Sequence, residues 1–474
     1  MTLPLVIVWF RQDLRLLDNP ALDYACKIGS IIPLYILDDT LPDWDMGSAQ
    51  NWWLHHSLTD LGKNLDKYKV QLILRKGNPE KILGEIIAVT GAKFVTWNRC
   101  YNPQSIIRDT KLKQLLIEKN IEVKSFNGSL LLEPGSVTNK SGTYFKVFTP
   151  YWKECLARIN PKPILEIPQF TSHALNIKSD DLSDWNLLPT KPDWAEGFKT
   201  YFSPGEKGAH EKLTDFLEND IGQYGVNRDI PGIKGTSLIS PHLHFGEISI
   251  NYIFSRLNEV IGKTHLSGAY KYLSELGWRE FSYHLLYNFP DLPRKAFNPK
   301  FADFPWTDNE AKFNAWKKGQ TGYPIVDAGM RQLWKTGWMH NRVRMITASF
   351  LTKHLMIPWQ KGAEYFLDTL LDADIASNSA GWQWVAGCGA DAAPYFRIFN
   401  PITQGQKFDP QGKYVRKFVP EIATLPDQYI HSPWTANLDT LAETKIMLGT
   451  TYPRPIVDHA DSRQEALAAY ESIK

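Results

Sequence analysis

The sequence predicts two parts: an α/β domain with a Rossmann-like, parallel five-stranded sheet, and an all-α domain that follows it. A chain of 474 residues exceeds what one hydrophobic core usually supports. Short β-branched runs alternate with helical stretches over residues 1–130, and strand signals vanish after Pro204. Between about residues 160 and 200, prolines interrupt a run without any period. We therefore predict an interdomain connector over 131–203 and a helical domain over 204–474.

The predicted strands of the α/β domain are short apolar or β-branched runs: Leu5–Phe10, Ile31–Leu37, Val70–Leu74, Lys93–Trp97 and Glu122–Phe126. Helices are predicted between them at Pro20–Lys27, Ala49–Leu65, Pro79–Thr90 and Ser105–Glu118. Alternation at this spacing favours a parallel sheet that is covered by helices. Ligands of such sheets usually lie beyond the carboxyl ends of the strands.

Helical patterns dominate the second part of the chain. The predicted helices are Glu206–Asn219, Pro241–Asn258, Ala269–Phe289, Asn309–Lys317, Ile325–Thr336, Arg342–Leu355 and Gly362–Leu371. Ser240 and Pro241 offer a hydroxyl cap followed by a proline at the first helical position, which is a typical helix start.

Composition excludes several classes of protein. A hydrophobic fraction of 43% and a charged fraction of 22% are typical of a folded soluble protein. A net charge of +2 does not by itself indicate nucleic acid, although a local basic face remains compatible with it. No run approaches 18 uncharged apolar residues, so we expect no membrane span. The four cysteines are far apart and the apolar start lacks a basic leader, so we expect a cytoplasmic protein without metal or disulfides.

Neither of two common nucleotide-binding motifs is complete in the sequence. Gly262-Lys263-Thr264 resembles the end of a phosphate-binding P-loop, but Leu257 stands where that motif needs a glycine. No GxGxxG follows a strand, so a Rossmann dinucleotide fingerprint is absent from the sequence.

Three groups of polar residues suggest a site in the helical part. The segment from Tyr224 to Pro241 places hydroxyls and free amides before a helix start, which suits an anion, although chemistry alone favours simple capping. Glu275, Trp278, Arg279 and Ser282 share one helical face, as either a pocket wall or a surface Glu–Arg pair.

The third group lies downstream. Asn341, Arg344 and Met345 share a helical face, and Arg344 can pair with Asp372 across helices. A buried ion pair with a purely structural role is an equally good interpretation of Arg344 and Asp372. Asn378 follows Asp372 by six residues and can face the same cavity. The amide of Asn341 suits the edge of a base or of a flavin ring.

The motifs together resemble the photolyase/cryptochrome family over nearly the whole chain, most closely its bacterial cyclobutane pyrimidine dimer photolyases. The resemblance rests on the runs Trp9–Asn19, Gly47–Ser57, Glu275–Phe281, Gly319–Met330 and Trp338–Met345, and on Asp372–Asn378 with Gly381–Trp384. It implies an α/β antenna domain and a helical domain that binds FAD in a bent shape.

The resemblance also implies roles for individual residues. The FAD site would comprise Tyr224, Thr236, Ser237, Leu238, Ile239, Ser240, Arg279, Arg344, Asp372, Ala373, Asp374 and Asn378. Photoreduction of oxidised FAD would use Trp306, Trp359 and Trp382, although each alone is a core residue by default. The damaged bases would meet Glu275, Trp278, Ser282, Asn341, Met345 and Trp384. The DNA strand would lie near Arg228, Arg342, Arg397 and Gln404.

The pair His340-Asn341 and the amide at Asn378 favour repair of cyclobutane pyrimidine dimers in ultraviolet-damaged DNA, by a monomer. In this reading Glu275 is protonated and, with Asn341, donates to pyrimidine carbonyls. The alternative is a cryptochrome-type blue-light receptor without repair activity. Relatives carry a folate or a deazaflavin as antenna pigment. No acid lies between Tyr101 and Ile107, where one folate-binding branch has one, so a folate held differently is preferred over a deazaflavin.

Overall fold

The computed structural model describes residues 3–40, 46–171, 176–264, 266–392 and 396–474. Five strands form one sheet in the order β3-β2-β1-β4-β5, and every neighbouring pair is parallel. The strands are β1 (Leu5–Phe10), β2 (Ser30–Leu37), β3 (Ile73–Lys76), β4 (Phe94–Asn98) and β5 (Glu122–Phe126). Helices α1 (Pro20–Ile28), α2 (Ser48–Asp66), α3 (Pro79–Thr90) and α4 (Pro103–Glu118) lie between them. The predicted α/β class is confirmed.

Three of these helices begin in the same way. Asn19, Asn78 and Asn102 each accept a hydrogen bond from a backbone N–H of the first turn, and each is followed by proline. Proline at that position lacks only an N–H that the helix would not use. Strand β3 starts three residues later than predicted. Val70 N–H donates to the Leu65 carbonyl, so Val70 belongs to the turn that ends α2.

After the sheet the described chain forms helices, and the predicted helical class of the second part is confirmed. The helices are α5 (Phe148–Arg158), α6 (Glu206–Asp215), α7 (Tyr224–Asn227), α8 (Ser240–His244), α9 (Ile250–Thr264), α10 (Ser267–Asn288), α11 (Glu310–Lys317), α12 (Pro324–Thr336), α13 (Asn341–Ser349), α14 (Trp359–Thr369), α15 (Ile375–Ala386), α16 (Pro401–Phe408), α17 (Lys413–Phe418), α18 (Leu438–Glu443) and α19 (His459–Glu471). Single π turns at Phe216–Asp220 and Phe350–His354 extend α6 and α13. The domain bounds remain a prediction; the connector range contains α5, and its residues 172–175 lie outside the described part.

The helix predicted over Pro241–Asn258 is two helices, α8 and α9. Gly246 breaks it with a φ of +65°, and a Cβ atom there would lie 2.1 Å from the Gln12 carbonyl oxygen. Only glycine allows this backbone approach without strain. The break therefore follows from the close contact with the segment after β1, which sequence periodicity does not report.

Further hydrogen bonds join the α/β part to the helical part. Ser48 donates to Asp368 from its N–H at 2.9 Å and from its hydroxyl at 2.6 Å. Glu206 accepts from the backbone N–H groups of Leu16 and Leu17, both at 2.9 Å. These contacts fix the start of α2 against the last turn of α14, and the segment after β1 against the start of α6.

Candidate cofactor and substrate site

A cavity of about 190 Å³ lies among α13, α14 and α15. Its walls are Asn341, Arg344, Met345, Ala348, Phe366, Leu370, Asp372, Ala373, Asp374, Ser377, Asn378, Gly381, Trp382 and Val385. Eight of these residues belong to the site predicted from the sequence. Two caps shape the cavity: His340 Nδ1 accepts from Arg342 N–H at the start of α13, and Asp374 accepts from Ser377 N–H at the start of α15.

The predicted pair between Arg344 and Asp372 lies in the cavity wall. Arg344 Nη2 lies 3.0 and 2.8 Å from the two oxygens of Asp372, and Arg344 Nε donates to the Met339 carbonyl at 2.7 Å. The Ser240 hydroxyl also donates to Asp372, at 2.6 Å. A buried carboxylate needs such partners. The pair thus connects α13, the α14–α15 segment and the start of α8.

Asp374 and Asn378 complete the polar side of the cavity. Tyr283 Oη donates a short hydrogen bond to Asp374 Oδ2, while Asp374 Oδ1 caps α15. Asn378 Nδ2 donates to the Ala363 carbonyl at 3.0 Å, which fixes the orientation of its amide. Apolar residues also line the cavity, among them Phe366, Leu370 and Val385. Apolar walls with a few fixed polar groups are typical of cofactor sites.

The predicted anion cradle is adjacent, and Ser240 joins it to the cavity through Asp372. Ser237 Oγ accepts from Tyr272 Oη at 3.0 Å, and the rings of Tyr224 and Tyr272 are in edge contact at 5.2 Å. Arg279 Nη1 donates to the Ser129 carbonyl at 2.7 Å, so this guanidinium already holds the segment after β5. Thr236, Leu238 and Ile239 lie in the loop before α8, where Leu238 has a φ of +52°.

Charged residues surround Glu275, which was predicted to be a protonated donor. Arg228 forms a short hydrogen-bonded ion pair with Glu275, and Lys271 Nζ lies 3.3 Å away. Asp229 pairs with Arg342 at 2.9 Å and lies 3.9 Å from Arg228. The role of Glu275 as a donor to the damaged bases stays a prediction, and in this structure its carboxyl group contacts Arg228 and Lys271.

Three of the other residues that were predicted to contact the damaged bases also contact neighbouring parts of the protein. Trp278 stacks on Phe148 at 3.9 Å with an 8° interplanar angle, so one of its faces is covered. Ser282 is buried and donates to the Trp278 carbonyl at 2.9 Å, so its hydroxyl serves its own helix. Trp384 Nε1 donates to the Asp391 carbonyl at 3.1 Å. Arg397 is exposed with its guanidinium over Phe399, and Gln404 lies on α16.

The three predicted redox tryptophans occupy different environments. Trp382 is buried in the cavity wall, with Phe366 at 4.9 Å. Trp359 is buried at the first position of α14. Trp306 is half-buried, with Phe304 at 4.4 Å. Sequence reasoning did not single out Trp316, a buried ring whose centroid lies 6.3 Å from that of Trp382.

Glu280 was also missed. It is buried and accepts hydrogen bonds from the N–H groups of Leu131 and Leu132, at 3.1 and 3.3 Å. Burial raises the pKa of Glu280 to about 7, against the opposing effects of Arg279 and these two N–H donors. The available signal was its place beside Arg279 in Trp-Arg-Glu-Phe, where an acid next to an arginine lies between two aromatic residues.

Glu280→Gln is expected to flatten the pH dependence of stability. The folded protein favours the protonated acid, so this group's contribution is complete below an unfolded pKa near 4.5 and is lost as pH rises through about 7. The loss amounts to about 3 kcal/mol in the free energy of unfolding. Urea unfolding between about pH 5 and about pH 8 measures it. Glu259→Gln, at an exposed ion pair, is the control; equal slopes for wild type and Glu280→Gln would contradict the expectation.

The carboxyl edge of the sheet is filled by charged side chains. Arg11 pairs with Asp109, and Arg108 pairs with Asp38 and Asp109. The guanidinium groups of Arg11 and Arg108 lie 4.7 and 4.9 Å from the ring centroid of Trp9. Flat cations therefore occupy the place where a flat ligand would stack at the β1–β4 switch point.

Two classes of feature were not found. No helix within the described ranges is long and apolar enough to cross a membrane. Among the same residues, no group of three or more His, Cys, Asp and Glu side chains is arranged to hold a metal ion.

Comparisons with known proteins agree with this geometry. Residues 272–472 match the family profile described as the FAD binding domain of DNA photolyase, and residues 6–169 match the profile described as DNA photolyase. The deoxyribodipyrimidine photo-lyase of Agrobacterium fabrum is 50% identical over 474 residues, which cover 99% of this chain and 98% of the relative. Cryptochrome-2 of Arabidopsis thaliana is 39% identical over 98% of this chain and 78% of its own length.

A solved structure is similar over the same length. The crystal structure of a bacterial class III photolyase from Agrobacterium tumefaciens has a TM-score of 0.97 and 50% identity, and it covers 100% of this chain and 98% of its own. The sequence motifs, the order of the strands and the cavity in the helical part all agree with these matches. The chain therefore belongs to the photolyase/cryptochrome family.

Proposed function

We propose that this protein is a deoxyribodipyrimidine photo-lyase, which repairs cyclobutane pyrimidine dimers in DNA with the energy of blue light. One observation carries the proposal: the cavity that contains the pair of Arg344 with buried Asp372 is also lined by exposed Asn341 and by Met345. One wall thus suits a flavin ring, and the adjoining wall offers an amide to a base. The full-length similarity to a photo-lyase supports the same activity.

The residues present fit FAD. The apolar walls of Phe366, Leu370 and Val385 suit the faces of an isoalloxazine ring, while Asp372, Asp374 and Asn378 offer hydrogen-bonding groups to its edge. Ser237, in the loop before α8, and Ser240, at the first position of α8, would hold the pyrophosphate together with Arg279. When bound, reduced FAD supplies the excited electron that breaks the cyclobutane ring, because protein acids and bases cannot cleave those carbon–carbon bonds.

The protein's own groups position the damaged bases. A dimer that leaves the duplex loses little pairing energy, which favours damaged sites over intact ones. The exposed amide of Asn341 would donate to a pyrimidine carbonyl as negative charge develops on it. The free face of Trp278 and the ring of Trp384 would replace lost stacking, at roughly 1–3 kcal/mol per base.

Asn341→Ala is expected to lower the repair rate by about tenfold, which corresponds to the loss of one hydrogen bond to developing charge. The FAD content should stay close to that of the wild type, because the Arg344–Asp372 pair is retained. Repair is measured as dimer loss under blue light with the enzyme already reduced. Asn314→Ala, in α11, is the matched control. A parallel loss of FAD and repair would make Asn341 a structural residue.

The proposed activity is tested by illumination of the reduced, FAD-loaded protein with dimer-containing DNA. Dimers should disappear under blue light and persist in the dark. The second candidate is a cryptochrome-type receptor, which the 39% identity to cryptochrome-2 favours. It predicts bound FAD and a light-dependent spectrum, but no dimer loss. A protein that stays colourless when FAD is offered would contradict both candidates.

We propose a folate in preference to a deazaflavin as antenna pigment. Arg11 and Arg108 cover Trp9 at the β1–β4 switch point, which leaves little room there for a flat tricyclic ring. The absorption spectrum of the purified protein, with extraction of its pigments, distinguishes the two. We also propose a monomer that acts on ultraviolet-damaged DNA in the cytoplasm, where its four free cysteines would stay reduced.

A further inference from the structure

The cavity has a neighbour outside the predicted site, His244 at the end of α8. Its side chain is 9% exposed and its ring packs against Phe245 at 4.8 Å. Asp374, a wall residue of the cavity, is near: its Oδ2 lies 4.0 Å from His244 Nδ1. His244 therefore contacts the cavity wall from behind.

Hydrogen bonding of Gln50 in α2 fixes which nitrogen of His244 carries the proton. Gln50 Oε1 accepts from Gly47 N–H at 3.2 Å, and Gln50 Nε2 donates to the Ala373 carbonyl at 2.6 Å. Both contacts require the same orientation of the amide, because its oxygen would repel the Ala373 oxygen. The second N–H of Gln50 then faces His244 Nε2 at 2.8 Å. His244 Nε2 must accept, so the proton is on Nδ1.

The Nδ1–H group is a buried donor without a partner among the described residues. The 4.0 Å separation from Asp374 Oδ2 is too long for a hydrogen bond, and that oxygen already accepts from Tyr283. Buried donors are seldom left unpaired, since an unmade bond costs about 1–3 kcal/mol. An oxygen atom between the two groups would satisfy it.

The charged groups around His244 come from α10 and from the segment between α14 and α15. Burial lowers the pKa of His244, while Asp374 and Asp372 oppose this effect and Arg279 on α10 adds to it. The lowered pKa therefore favours the neutral ring, in which only one of the two nitrogens carries a proton.

We propose that His244 is a further cofactor-site residue, whose Nδ1–H is held in place by Gln50 and donates to an oxygen of the bound flavin nucleotide beside Asp374. The inference rests on the proposed FAD binding. It gives α2 of the α/β part a direct influence on the cofactor, because Gln50 selects the tautomer. Gln50 is a positioning residue here and His244 is the binding residue.

Selective ¹⁵N-histidine labelling tests the tautomer first. The apo protein should show a neutral His244 with protonated Nδ1, assigned by loss of that signal in His244→Asn. Addition of FAD should shift the Nδ1 resonance. Gln50→Met should allow both tautomers, whereas Gln71→Met, at an exposed position, should leave the signal unchanged. A wild-type ring protonated on Nε2, or an Nδ1 signal that FAD does not move, as for a bridging water, would overturn the inference.

Two variants then separate the donor from mere packing. The amide nitrogen of His244→Asn falls near the Nδ1 position, and that of His244→Gln falls near the Nε2 position. FAD affinity should be nearly retained in His244→Asn and weakened by about three- to tenfold in His244→Gln. Equal affinities in the two variants would overturn the inference. A wild type that binds no FAD would overturn the proposed function itself, and the inference with it.

Discussion

Asp372→Ala is expected to weaken FAD binding by about a hundredfold, or about 3 kcal/mol. The Asp372 carboxylate accepts from Arg344 and from the Ser240 hydroxyl, and its side chain is 4% exposed. Its removal leaves the Arg344 guanidinium without its carboxylate partner in the cavity wall. Removal of one partner of such a pair costs more free energy than replacement of both partners. Fluorescence titration of the apo protein with FAD measures the change in Kd.

Two further variants assign the cause of that loss. Asp372→Asn keeps the shape and one acceptor oxygen, so a smaller effect than in Asp372→Ala would separate hydrogen bonding from charge. Asp308→Ala is the matched control, because its ion pair with Lys361 is largely exposed and such pairs contribute little. If Asp372→Ala bound FAD as the wild type does, the cavity would not be the flavin site.

Much of the fold was predictable because local patterns determine it. The strands of the α/β part are apolar runs with proline-initiated helices between them, and Asn19, Asn78 and Asn102 cap three of those helices. What the sequence could not report was contact between distant segments. The helix predicted across Gly246 is broken because its backbone meets Gln12, a residue 234 positions earlier.

The residues of the site also divide into those that local sequence patterns indicate and those that only the fold brings together. Arg344, Asp372 and Asn378 were predictable, because charged or amide groups near tryptophans are unusual in a core. Ala348, Phe366 and Val385 also line the cavity, yet each looks like an ordinary core residue until α13, α14 and α15 are packed together. The ion pair of Glu275 was not predictable for a related reason. Its cationic partner Arg228 comes from a segment 47 positions away, and only the fold brings them together.

Trp382→Phe is expected to slow photoreduction of bound, oxidised FAD by about tenfold or more, because the variant lacks the first electron donor. Trp382 is the one of the three predicted tryptophans that lines the cavity, and the ring of phenylalanine is far harder to oxidise than an indole. Repair by enzyme that has been reduced chemically should be unchanged, since repair does not need that donor. Transient absorption after a light pulse measures the first rate, and dimer loss measures the second.

Trp316→Phe is the matched control for this prediction. Trp316 is equally buried and lies 6.3 Å from Trp382, but it is not part of the cavity wall and donates instead to the Thr347 carbonyl at 3.0 Å. Photoreduction should therefore persist in this variant. If Trp316→Phe slowed photoreduction and Trp382→Phe did not, the electron would enter the cavity by another route. If both variants lost FAD, the two rings would serve packing, because Trp382 already fills the space beside Gly362, where a Cβ atom would lie 2.2 Å from its ring.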